Sequence, residues 1–207
     1  MSIVKLNNRG VRSATAFGSI TGLGSMVFIK KLTASSSATL SFVDGTSDVV
    51  LDNTYKEYLF TFKNIHPATD NVSFQFNGSD DTSSHSYDVI KSTTAFNAYH
   101  NEADSETGLG YRSADDVSQG TGFHTLSHQA SNANDEALGG YLHLFEPSST
   151  TFVKHFMAVI SGNNEDSHAQ QNFSAGYFNT TSAITAIQFK FSSGDIDAGD
   201  ICLYGIA

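Results

Sequence analysis

From Ser25 onward the chain alternates apolar and polar residues with a period of two. That is the signature of strands with one face buried. SMVFIKKL (Ser25–Leu32) opens the series, and ATLSFV (Ala38–Val43) follows a Ser-rich turn. EYLFTFKNI (Glu57–Ile65) places Tyr58, Phe60 and Phe62 on one face, and VSFQFN (Val72–Asn77) alternates again. A weaker strand is expected near Tyr87–Ile90, and Asn97–Gly120 reads as a long acidic loop with little periodicity. Strands resume at Thr121–His128, Gly140–Glu146, Thr151–Ile160, Asn172–Phe178, Ala183–Phe191 and Asp200–Ile206. Turn residues punctuate the series, including Asp44-Gly45 and Pro67. No helical pattern exceeds about two turns.

Roughly ten to twelve short strands at this spacing predict an all-β fold. The expected architecture is an antiparallel jelly-roll β-sandwich over residues 25–207, preceded by a Gly-rich extended N-terminal arm over residues 1–24. In such a fold the last strand sits inside a sheet. Ile201 and Leu203 are then expected to face the core, with Cys202, Tyr204 and Ile206 turned the other way.

Composition agrees. Phe (16), Tyr (8) and Gly (17) are plentiful, Trp is absent, and only 15% of residues are charged. Aromatic residues suit a pleated, half-buried surface. With so few charges, much of the surface is expected to pack against copies of the same chain. At 207 residues, one domain buries about 70% of its unfolded surface and needs no covalent staple. The single Cys202 excludes an internal disulfide and any zinc site built from several cysteines.

The net charge of −10 argues against nucleic acid, because phosphate binding rests on Lys and Arg. The apolar runs are too short to cross a membrane as helices. The first residues, MSIVKLNNRGVRS, lack the apolar block of a secretory signal, so synthesis and folding in a cytoplasm are expected.

Candidate chemistry is sparse. In HNEAD, His100, Glu102 and Asp104 fall at alternate positions and could meet a metal on an extended segment. A solvated acidic loop accounts for them equally. DGTSD is explained by its turn. No GxSxG nucleophile elbow is present, and no carboxylate pair is singled out for glycoside cleavage. The chain is therefore expected not to be an enzyme and to need no cofactor or resident metal. A sugar site would want an aromatic face beside polar groups. Tyr99, Tyr111 and Arg112, together with His100, Glu102 and Asp104, form the candidate binding loop.

Two segments carry a resemblance. YKEYLFTFKNIHPATDNVSFQF (Tyr55–Phe76) and YFNTTSAITAIQFKFSSGDIDAGDICLYGIA (Tyr177–Ala207) resemble small structural proteins of marine, especially cyanobacterial, phages. The N-terminal VKLNNRGVRSATAFGSI fits the same group, while Gly78–Ala137 matches it least. The resemblance implies a tail-fibre, tail-associated or capsid-surface component displayed on the virion. It also implies a homo-oligomer, often a trimer, docked to other virion proteins. No catalytic motif travels with it. The rival expectation is a lectin-like module that holds a host-surface glycan.

Overall fold

The computed structural model describes residues 26–206, so the expected arm over residues 1–24 lies outside the described residues. Twelve strands account for the regular structure: β1 (Met26–Thr33), β2 (Leu40–Val43), β3 (Glu57–Pro67), β4 (Val72–Ser79), β5 (Lys91–Asn101), β6 (Thr107–Tyr111), β7 (His124–Ala130), β8 (Leu138–Phe145), β9 (Lys154–Asn163), β10 (His168–Phe178), β11 (Ala186–Phe191) and β12 (Ile196–Ile206). No helix occurs among the described residues.

The strands form two antiparallel sheets. The larger has eight strands in the order β1-β12-β3-β8-β9-β10-β5-β6, and the smaller has four in the order β2-β11-β4-β7. The sheets meet through a core of phenylalanines. Phe189 of β11 is fully buried and lies 5.3 Å from Phe60 and 5.2 Å from Phe62, both on β3, between ring centroids. Phe76 of β4 reaches Phe156 of β9 edge-on at 4.9 Å. Such edge-to-face pairs align the positive edge of one ring with the negative face of the next. The result is a β-sandwich.

β12 lies between β1 and β3 and pairs with both. Ile201 and Leu203 are fully buried, whereas Cys202, Tyr204 and Ile206 are half-buried on the opposite face. Irregular register between Ile196 and Asp200 lets β12 bend as it meets β3. Gly199 sits there with φ +117°, and a Cβ would stand 2.5 Å from the Asn64 carbonyl oxygen. Only glycine suits that close approach.

Two expectations are corrected. Tyr87–Ile90 is not a strand but irregular chain. Asn97–Gly120 is not one long loop: its first part completes β5, and β6 pairs back on it from Phe96↔Tyr111 to His100↔Thr107. The irregular chain before β5 is ordered by one carboxylate. Asp81 accepts backbone N–H bonds from Ser83, Ser84, His85 and Ser86 at 2.7–3.0 Å. The bonds from Ser86, His85 and Ser83 hold its carboxyl far below the usual carboxylate range, against an opposing effect of burial.

Candidate functional site

The two sheets differ in width, and the difference makes the site. β7, at one edge of the small sheet, meets β9, β10 and the start of β5. The rest of β5 and all of β6 extend the large sheet past it. The inner face of this overhang is polar: Thr93 and Asn97 of β5 and Gln170, Asn172 and Ser174 of β10 are all buried there.

The chain from Arg112 to Phe123 returns beneath β5. Gly120 exchanges backbone hydrogen bonds with Lys91, while the Val117 carbonyl accepts from the Thr93 backbone N–H and the Val117 N–H donates to the Thr93 hydroxyl. This return carries Asp115 inward. Its carboxylate accepts from Arg112 Nε at 3.2 Å. His128 Nδ1 lies 3.1 Å from the same oxygen, close enough to pair but off the hydrogen-bond axis. Burial pushes the Asp115 carboxyl up, but His128 and Arg112 more than offset it and hold it below its ordinary value.

Beside this group is a cleft of about 200 Å³ between β5, β7 and β10. Tyr99 and His168 line one wall, with ring centroids 5.1 Å apart. His168 Nε2 lies 3.5 Å from Glu106 Oε2, which fixes the imidazole against the hairpin. Gln170 is 3% exposed; its Nε2 donates to the His128 carbonyl at 2.9 Å, and its Oε1 has no partner among the described residues.

The six sequence candidates all fall on the β5–β6 hairpin or just after it, but they do not converge. Tyr99 and Arg112 line the cleft. His100 turns outward and pairs with Asp104 at 3.0 Å across the exposed tip. Glu102 is exposed, with its backbone N–H bonded to the Ser167 carbonyl. Tyr111 is exposed beside Phe96 and donates its hydroxyl to Asp116. Among the described residues no group of three or more His, Cys, Asp or Glu is placed to hold a metal ion.

Sequence reasoning missed Glu106, His128, His168 and Gln170 as cleft residues. His128 was visible only as a strand histidine, and Gln170 carries no sequence signal.

Two lysines are buried at the starts of β5 and β9. Lys91 is fully buried; burial pushes its amine down to about 8, and Nζ donates to the Gly122 carbonyl at 2.7 Å. Lys154, also fully buried, donates to the carbonyls of Thr180 and Ser182, and burial lowers it too. Both lysines tie loops to the sheet.

A second surface is the outer face of the large sheet. One cross-strand row runs Cys202, Thr61, Tyr141, Val159, Phe173 and Phe96 across six strands. Phe96 and Phe173 stack nearly parallel, 4.8 Å apart. The neighbouring row holds Phe28, Tyr204, Leu59, His143, Met157 and Ala175. Phe28 is 56% and Met157 57% exposed.

No protein family, no curated protein and no solved structure matches this chain.

Proposed function

We propose that this chain is a structural protein of a phage particle, a jelly-roll building block that works by non-covalent assembly rather than catalysis. The strand order supports the jelly-roll part. With β5–β6 and β9–β10 taken as two added hairpins, the remaining strands read β1-β12-β3-β8 against β2-β11-β4-β7. That is the interleaving of two four-stranded sheets made when a long antiparallel hairpin is rolled over. The resemblance of Tyr55–Phe76 and Tyr177–Ala207 to marine phage proteins supports the particle.

The observation that carries assembly is the outer face of the large sheet. Exposed apolar side chains gathered on one sheet face mark a candidate interaction surface. Covering it with a second copy stabilises association by about 25 cal/mol per Å² of apolar area, before the cost of ordering the partners. The oligomer is a trimer on the virion surface, on the tail or on the capsid, with other virion proteins as neighbours. Light scattering on the purified chain tests this: a trimer mass is expected, and a strict monomer at micromolar concentration overturns it. Antibody labelling of particles separates tail from capsid.

A second reading, a host-receptor module that holds a surface glycan, is favoured by one observation. The cleft at Tyr99 and Arg112 combines an aromatic wall with polar groups unpaired among the described residues.

A further inference from the structure

We propose that the cleft between β5, β7 and β10 binds one neutral sugar ring. This deepens the receptor reading and does not depend on the assembly proposal. Its size sets the first limit. About 200 Å³ is below the roughly 300–1,000 Å³ of sites for larger organic ligands. It admits a single ring rather than a chain.

The lining sets the chemistry. Gln170 is almost wholly buried, and its Oε1 has no partner among the described residues. An acceptor left so is rare in a folded protein and calls for a donor from elsewhere. Arg112 uses only Nε, toward Asp115, so its terminal nitrogens remain as donors among the described residues. Asn97, 4% exposed, also lines the cleft with its amide. Glu106 and Asp166 add acceptors at the rim.

Donors and acceptors thus share one small volume. A hydroxyl group both donates and accepts, and a sugar ring carries several of them around an apolar C–H face. The Tyr99 and His168 rings offer the surface for that face. The rim carboxylates and the net charge of −10 disfavour phosphates and acidic sugars. A metal is not served, because no cluster of three or more suitable ligands exists among the described residues.

Saturation-transfer NMR on the full purified chain tests the site. The probes are the methyl glycosides of glucose, galactose, mannose and N-acetylglucosamine, with methyl glucuronide and inorganic phosphate as anionic counterparts. At least one neutral glycoside is expected to bind saturably. Tyr99→Leu, which removes the aromatic face, and Arg112→Lys are each expected to weaken it at least fivefold. Leu109→Ser, on the exposed edge strand, is expected to leave it unchanged. Circular dichroism establishes that each variant is folded.

Three results overturn the assignment: no neutral glycoside binds, an anion binds more tightly than every neutral one, or Tyr99→Leu and Arg112→Lys both leave affinity intact. Adsorption of particles carrying the same variants separates the two readings. If sugar binding is lost while adsorption is normal, the receptor reading fails and the site stands. If no sugar binds yet the variants abolish adsorption, the sugar assignment fails and the receptor reading stands.

Discussion

His124 and Thr93 face each other inside the fold, with Nδ1 of the imidazole 3.1 Å from the threonine hydroxyl and no surface left to water on the histidine. The ring also packs against Phe76 and Phe156. Burial, assisted by the Lys91 charge, pushes this histidine down to about 4 from 6.5. The folded protein therefore keeps His124 neutral where the unfolded chain takes up a proton.

The sign follows from linkage. The folded pKa is depressed, so the stabilisation is full above pH 6.5 and is lost as pH falls toward 4. The loss by pH 4 is about 3 kcal/mol, at ~1.4 kcal/mol per pKa unit. Urea midpoints at pH 8.0 and 4.5 measure it, and His124→Leu should flatten the slope between them. Lys91, also depressed, works the same way at higher pH: stability should keep rising between pH 8 and 10.5.

Phe189→Ala should cost about 3–5 kcal/mol, the usual range for emptying a buried aromatic site. Phe189 touches rings from both sheets, Phe60 and Phe62 on one side and Phe74 on its own. Denaturant unfolding measures the loss. A cost under 1 kcal/mol would mean the sheets do not close on that ring.

Asp81→Ala should lower the melting temperature by several degrees, because four backbone N–H groups lose one shared acceptor. Asp81→Asn should fall between the two proteins. The depressed carboxyl contributes fully above its unfolded value of 3.8 and is lost as pH falls below that. The gap in melting temperature between wild type and Asp81→Asn should therefore narrow below pH 4.

Phe96→Ser combined with Met157→Asp should convert the proposed oligomer to monomer without loss of fold. Both side chains point outward, at 44% and 57% exposed, so little core packing is removed. Light scattering reads the mass and circular dichroism the fold. An unchanged oligomer mass would place the contact elsewhere.

The strands around the phenylalanine core were legible because apolar and polar residues alternate strictly there. Tyr58, Phe60 and Phe62 all face inward, as did the expected pair Ile201 and Leu203. Legibility ends where the large sheet outruns the small one. β5 buries Lys91, Thr93, Ala95 and Asn97 while exposing Phe96, so its pattern is inverted and reads as loop. β10 buries Gln170, Asn172 and Ser174 in the same way, and its start, from His168 to Gln171, was missed. At the start of β9, Lys154 is buried and Phe152 is 67% exposed. Hydropathy sees polarity, but burial here is decided by hydrogen bonds to loop carbonyls.

The same gap explains the candidate site. The hairpin residues Tyr99 and Arg112 stood out by type. Gln170, His128 and His168 come from strands far away in sequence, and only the width mismatch between the sheets brings them to Tyr99. A linear pattern holds no record of that mismatch.

The placement of β12 has a temporal consequence. On the ribosome, β1 and β3 emerge early, yet the slot between them stays open until the residues of β12 have been made. Such non-local pairing is slow to form and leaves edges open meanwhile. Nascent chains growing side by side therefore share a vacancy of one shape, and a ribbon from one can enter the berth of another. Crowded synthesis, as on a polysome, is where intertwined copies of this molecule would arise.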